Sequence, residues 1–246
     1  MRYEKTQPGN PHQLTVSQHV FPSVSIARFA DENGYVSVHL CDQGKTLRLS
    51  PKNDLFCAKR AWNQASEHGY MKKIEDAFQP LAVRILEGYC RLTLKEHELV
   101  SRFYALCRLR AEARQTPPSD AQFGYALPGG LCDKDKEEIL ETNGYAFAHG
   151  ATVPSRHIAS IRIQVQIGRL CAPDTSWAVI NSKAVEFIAP DSFCEIGIVP
   201  LSPNFCLVAN AASGEISDEN AIQLNRLAVE KSCKYYFSRD MSKCFI

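Results

Sequence analysis

The last third of the chain differs in pattern from the rest, and this difference limits the folds that it can adopt. Short runs of β-forming residues recur there, separated by turn residues, which is typical of a small sheet. These runs are Trp177–Ile180, Val185–Ile188, Glu195–Val199 and Phe205–Ala209. Asp218 can cap a helix through about Ser232, and Tyr235–Phe237 is typical of a closing strand. We therefore expect a small, mostly antiparallel C-terminal sheet with one late helix.

The middle of the chain has helical periodicity instead. Apolar side chains fall at helical spacing within Met71–Glu87, although Pro80 is expected to kink this helix or split it in two. Thr93 and Glu96 have the spacing of a capping box, which predicts a helix from there to about Arg114.

Two later segments follow a loop rich in proline and glycine. Asp133–Glu141 is predicted as a short helix, capped by its first residue and stopped by Asn143–Gly144. Ser155–Leu170 begins with a possible helix cap but alternates apolar and polar residues like a strand, so the residues alone leave both interpretations open. Thr116–Cys132, between the helices, is predicted to be a mobile loop or a domain boundary.

The N-terminal part predicts an arm and a hairpin. Residues 1–18 are polar and lack periodicity. Pro22 fixes its own φ and favours extended backbone before it, so His19–Pro22 is predicted to be a short extended arm. Tyr35–Leu40 alternates apolar and polar residues, and a turn at Asp42–Gly44 follows, which predicts a β-hairpin.

Together these patterns predict an α+β fold in one domain over residues 1–246. The arm and hairpin occupy residues 1–54, the helical middle residues 55–172, and the C-terminal sheet and helix residues 173–246.

The balance of charges argues against bulk electrostatic attraction. The chain has 28 Lys and Arg against 27 Asp and Glu, a formal net charge of +1, so nothing in its total charge favours nucleic acid or an anionic membrane. No apolar run approaches the roughly 20 residues of a membrane span, and the first residues lack a secretory pattern. The ten cysteines include no C-x-x-C pair. We expect a cytoplasmic protein with reduced, mostly buried thiols, no metal site and no cofactor.

One acid–base candidate emerges from the residues. No Gly-x-Ser-x-Gly elbow is present, but His19 and Asp191 could form a carboxylate–histidine pair of a hydrolase or nuclease across the fold. The alternative is structural: Asp191 accepts backbone N–H groups of a turn and holds two strands together, while His19 is hydrogen-bonded to backbone in an arm that is pinned into the core. His19 and Arg28 could also present polar groups in a binding cleft.

The helix predicted after Thr93 carries a basic second half. One interpretation is a solvated face, because cations are favoured near a helix C-terminus. The other is a surface for an acidic partner or nucleic-acid phosphates. The arginines concerned are Arg102, Arg108, Arg110 and Arg114.

The N-terminal arm resembles a known family. His19, Pro22, Arg28 and Phe29 fit the opening of the HYVP-motif proteins, uncharacterised prokaryotic proteins with domain of unknown function 4238. Members open with a His-aromatic-Val-Pro run and a Leu-Arg-x-Phe-type segment. This chain departs from the pattern at Val20-Phe21, where the apolar pair is swapped.

The resemblance recurs in order along the chain. Phe187, Ile188 and Asp191 are similar to the family's Phe-Ile-Thr-Ser-Asp-Asn-Pro segment, although its other positions differ here. The run Pro200-Leu201-Ser202-Pro203 is intact, and Asn225 lies in a segment similar to the family's late Asn-containing helix. From the residues alone, the Pro200 run is interpreted as a rigid corner at a sheet edge.

The resemblance carries expectations about structure and function. It favours a helix for Ser155–Leu170. Proteins of this type occur among prophage and defence-island accessory genes, which implies anti-phage defence by binding a phage protein, for example of the replication machinery, without catalysis. A toxin-like hydrolase using His19 and Asp191, and direct nucleic-acid binding through the four arginines, are the alternatives. A homodimer is a further expectation, because short strands of the C-terminal sheet need covering.

Overall fold

Helices and short strands alternate along residues 4–122, 124, 133–171 and 175–245, which the computed structural model describes. The helices, in chain order, are α1 (Ser23–Ala27), α2 (Gln64–Ser66), α3 (Lys72–Leu86), α4 (Leu94–Gln115), α5 (Lys134–Thr142), α6 (Ser155–Leu170) and α7 (Asp218–Lys231). The strands are β1 (Ser17–His19), β2 (Val36–Leu40), β3 (Lys45–Leu49), β4 (Cys57–Lys59), β5 (Ala121–Gln122), β6 (Thr152–Val153), β7 (Trp177–Asn181), β8 (Ala189–Pro190), β9 (Ile198–Ser202), β10 (Phe205–Ala209), β11 (Gly214–Glu215) and β12 (Tyr235–Ser238). The predicted α+β class, with a C-terminal antiparallel sheet and a late helix, is confirmed.

The predicted hairpin forms, but its sheet also contains the last strand. The order β3-β2-β12-β8 places β12 between the hairpin and β8, antiparallel to both. Val36, Val38 and Leu40 of β2 are buried on one face, so the core fixes the register of this strand. The closing strand predicted at Tyr235–Phe237 is confirmed as β12, although it pairs in the sheet of the hairpin.

The C-terminal sheet has the order β11-β7-β10-β9, with only β11 parallel to its neighbour. The strand predicted at Glu195–Val199 starts three residues later, because Glu195 (φ 58°) and Gly197 (φ 57°) are left-handed. The strand predicted at Val185–Ile188 does not form. These residues enter the core as irregular chain, and their hydrogen bonds go to other segments.

The helical middle follows the prediction except at Pro80. Helix α3 continues through Pro80, and the chain is irregular instead at Gly69 (φ −95°, ψ −114°). Pro80 and Asp76 are both exposed, so water can bind the Asp76 carbonyl that loses its intrahelical donor. At the start of α4 the Glu96 carboxylate accepts the Thr93 N–H at 2.7 Å, which confirms the capping box.

The two later helices are also confirmed. Asp133 caps α5, and the segment with the ambiguous pattern is the helix α6. Ile163 and Ile167 of α6 are buried at helical spacing, while Ile161 and Val165 are exposed, which explains the apparent alternation. Of the predicted loop Thr116–Cys132, residues 123 and 125–132 lie outside the described residues.

The arm packs into the core beside the C-terminal third, as predicted. The ring centroid of Phe21 lies 6.1 Å from Phe103 of α4, 5.3 Å from Phe193 and 6.4 Å from Phe237 of β12. Regions distant in sequence therefore share one apolar cluster.

Two further expectations bear on the chemistry of the chain. The nine cysteines within the described residues are free, but only Cys57, Cys107, Cys206 and Cys244 are buried. The expectation of mostly buried thiols is therefore too broad. Among the described helices, none has the length and apolar character needed to cross a membrane.

Candidate functional site

His19 and Asp191 bind different partners. His19 Nε2 donates to the Pro51 carbonyl at 3.2 Å, and burial lowers the pKa of its imidazole. Asp191 Oδ1 and Oδ2 accept the N–H groups of Cys233 (2.7 Å) and Lys234 (3.0 Å). The carboxylate–histidine pair that a hydrolase would need is not formed by these two side chains. The structural role predicted for Asp191, accepting backbone N–H groups and joining strands, is confirmed.

The other motif residues are built into the fold. Pro22 is buried, and Arg28 Nη2 donates to Gln79 Oε1 of α3 at 2.5 Å. Asn225 is buried and bonds to Ile188 N–H and to the carbonyls of Glu186 and Cys244 at 2.8–2.9 Å.

The Pro200 run also has a structural place. Pro200 lies in β9, the edge strand of the C-terminal sheet, and Ser202 ends that strand before a turn. The predicted corner at a sheet edge is confirmed.

The four arginines of α4 do not share a surface. Arg102 is exposed and pairs with Glu98 at 2.7 Å, and Arg108 pairs with Glu112 at 3.0 Å. Arg110 is buried and pairs with Glu67 and Glu75, which contradicts the interpretation of a solvated face for this residue. Arg114 lines a concave part of the surface.

That concave part is a groove of about 990 Å³. Helix α4 contributes its last turn, with Ala113 and Arg114. The chain from Cys57 to Ala61 forms one wall, and the loop Pro117–Asp120 with the start of α6 forms another. Glu4 of the arm, His149, and Lys234 before β12 complete the lining.

Arg114 links the groove to Asp191. Its Nη1 donates to the Tyr235 hydroxyl at 3.1 Å, and its guanidinium lies over the Tyr235 ring at 5.1 Å. Its Nη2 is 3.9 Å from Asp191 Oδ2. Burial raises the pKa of both Tyr235 and Asp191. The sequence candidates Arg114 and Asp191 are thus brought together, although by a structural network.

Basic residues outnumber acidic ones in the lining of the groove. Five of the lining residues are basic and two, Glu4 and Asp120, are acidic. Both acids are engaged: Glu4 pairs with Arg156 and Lys134, and Asp120 accepts the Ser155 N–H at 2.7 Å. The basic lining residues are Lys59, Arg60, Arg114, Arg156 and Lys234.

Two of these arginines are held by a cluster of buried carboxylates on α5. Glu141 Oε2 accepts from Arg60 Nη2 at 2.7 Å and from Arg156 Nε at 2.8 Å. Glu138 accepts the Gln7 N–H at 2.8 Å, which fastens the arm. Glu137 Oε1 lies 2.8 Å from His149 Nδ1, and burial raises the pKa of Glu137. Helix α5 therefore fastens four segments that reach the groove.

One set of groups has the composition of a metal site. Ligand atoms of Glu4, Glu137 and His149 lie within 4.8 Å of one another. However, Lys134 and Arg156 already pair with Glu4, and Lys134 Nζ lies 3.9 Å from Glu137. These cations satisfy the carboxylates that a divalent ion would require, so the set is explained as an ion-pair cluster.

His157 is fully buried in the interior beside the groove. Asn63 Oδ1 accepts from Ser66 N–H, so the Asn63 amide nitrogen faces His157 Nδ1 at 3.1 Å and donates to it. The proton of the neutral ring then lies on Nε2, which has no hydrogen-bond partner among the described residues. The rings of His157 and Phe147 form a T-shaped contact, with their centroids 4.8 Å apart and their planes at 77°. Burial is the main cause that lowers the His157 pKa to about 4.

Sequence reasoning missed most of the groove. Lys59, Arg60, Arg156 and Lys234 come from separate segments, and no spacing indicates that they meet. The adjacent basic pair Lys59-Arg60 was the only local signal.

The chain matches no protein-family model, no curated protein and no solved structure.

Proposed function

We propose that this protein acts in the cytoplasm as a non-catalytic binding protein in anti-phage defence, and that its groove takes up a segment of a phage-encoded protein. The observation that carries the proposal is the groove itself. Its volume of about 990 Å³ lies at the upper end of the range for small-ligand pockets, and its lining is rich in cations.

The arrangement of the candidate catalytic groups favours binding over catalysis. His19 Nε2 and both carboxylate oxygens of Asp191 form hydrogen bonds with backbone groups of the fold. The arginines predicted for nucleic acid are dispersed, and two of them form exposed or half-exposed pairs with neighbouring glutamates. The resemblance to the HYVP-motif proteins supports the phage origin of the partner.

A pull-down from phage-infected cells tests the proposal. The bait is the full chain, compared with the double variant Lys59→Glu/Lys234→Glu in the groove. Lys45→Glu/Lys183→Glu is the matched control, because both lysines are exposed and the change in net charge is the same. Each double variant also breaks one ion pair, Lys59 with Asp54 or Lys183 with Glu215. We expect a phage-encoded protein to be enriched by the unmodified chain and by the control, and to be depleted about tenfold by the groove variant.

Two results would contradict the proposal. If mass spectrometry finds no phage-derived protein above the uninfected background, the defence role fails. If both double variants capture the same phage protein equally, the groove is not the binding surface. Added chelator should leave the capture unchanged, because no ion takes part.

A further inference from the structure

The groove runs along the edge of a strand. Residues 57–61 all line it, although successive side chains of a strand point to opposite faces. A groove that touches consecutive residues therefore follows the backbone edge of β4 and its continuation, not one face.

Among the residues that the structure describes, no strand lies beside that edge of β4. Within them, β4 pairs with β1 alone, in a two-stranded sheet. Val20 N–H donates to the Phe56 carbonyl, and Arg60 N–H donates to the Val16 carbonyl. In an antiparallel ladder such bonds recur at every second residue, so Ala58 also faces β1 and Lys59 faces away from it. The N–H and C=O groups of Lys59 thus point to the side away from β1.

The other groups beside this edge limit what can pair there. The Cys57 N–H is already taken, since it donates to the Asp54 carbonyl. Arg60 has φ 44°, which ends the strand. The vacant edge is therefore short and centred on Lys59, with room for about two main-chain hydrogen bonds.

Charge defines the occupant. Lys59 and Arg114 line the groove beside the edge and already pair with Asp54 and Asp191. Lys234 is exposed and forms no ion pair within the described part of the chain, so it is the cation most available to a ligand. Both acidic lining residues are already engaged, as described above. An extended peptide can satisfy a strand edge through its backbone while its carboxylates meet these cations.

We infer that the groove binds an extended, acidic segment of a partner protein, which pairs with β4 as an added strand at Lys59. The inference rests on the proposed function and names the kind of segment that the groove accepts.

A synthetic peptide tests the pairing directly. The probe is a labelled peptide of alternating Glu and Val, titrated into the full chain by fluorescence anisotropy. Two further peptides carry N-methyl groups on all Glu or on all Val amides. Because the N–H groups of alternate residues face one edge of a strand, only one of these peptides loses the donors that meet β4. We expect one methylated peptide to bind about tenfold more weakly and the other within about threefold of the parent.

Variants at Lys59 provide the complementary test. Lys59→Ala removes the charge and should weaken binding by up to about fivefold. Lys59→Pro also removes the N–H that faces the groove and should weaken it by about tenfold more. The pairing with β1 does not use this N–H, so the fold should persist. If Lys59→Pro does not fold, hydrogen exchange of the Lys59 amide is measured in the unmodified chain instead. We expect the added peptide to slow this exchange.

Three results overturn the inference. They are equal binding of both methylated peptides, equal binding of a Lys-Val peptide, and no binding of the parent peptide at about 1 mM. None of these three results contradicts the capture of a phage protein in the pull-down. If the peptide binds but the pull-down captures no phage protein, the defence role alone is contradicted.

Discussion

At the scale of single residues, the interior carries formal charges that lie in ion pairs. Glu141 is buried between Arg60 and Arg156, which are also buried. A buried pair of this kind adds little net stability by itself, but removing one partner leaves an uncompensated charge. Here Glu141 is the carboxylate that pairs with Arg60, and it shares Arg156 with Glu4.

Glu141→Gln should therefore lower the free energy of unfolding by about 3–5 kcal/mol. The amide keeps the size of the side chain and one acceptor but loses the charge that both arginines require. Urea unfolding measures the change through the midpoint at constant slope. Glu215→Gln is the control, because Glu215 pairs with Lys183 on an exposed surface, and should stay within about 0.5 kcal/mol. Equal effects of both changes would show that water from the groove already solvates the arginines.

At the scale of elements, Asp191 joins β8 to the start of β12. Its two carboxylate oxygens accept successive backbone N–H groups, and its own N–H donates to the Tyr235 carbonyl at 3.1 Å. Strand β12 is thereby fixed between β8 and the hairpin strand β2. A short strand such as β8, with two residues, depends on a clamp of this kind.

Asp191→Asn should destabilise the protein by about 1–3 kcal/mol, because the new NH₂ group replaces one acceptor and faces a buried N–H donor. A lower thermal midpoint measures the loss. Asp42→Asn, in the exposed turn of the hairpin, should leave the midpoint unchanged. The hydrolase hypothesis makes the opposite prediction, namely lost activity at an unchanged midpoint. That outcome would show that the clamp is not the main role of Asp191.

At the scale of the whole molecule, the sequence predicts the features that depend on neighbouring residues. It does not predict those that depend on contacts between distant segments. The capping box at Thr93 and the cap at Asp133 act within a few residues, so the sequence specifies the starts of α4 and α5. Pro80 is tolerated because its face of α3 is exposed, and burial is not visible in a local pattern.

The position of β12 depends on a partner almost 200 residues earlier, which no periodicity indicates. The same limit applies to the candidate site. Arg114 and Asp191 were named from their own segments, but the groove depends on β4, α6 and the arm meeting. Contacts of this kind follow from the packing of the whole chain.

The shared aromatic cluster predicts that the arm, the hairpin and the C-terminal strand unfold together. Phe21→Ala removes a ring that packs against Phe103, Phe193 and Phe237, and should cost about 3–5 kcal/mol. Hydrogen exchange with mass spectrometry should show lost protection in β2, α4 and β12 to the same extent, because one apolar cluster supports all three. Phe245→Ala, which removes an exposed ring, should leave these rates unchanged. Faster exchange confined to residues 4–22 would instead mean that the arm docks on a body that is stable without it, and the expectation of a single domain would then apply only to the rest of the chain.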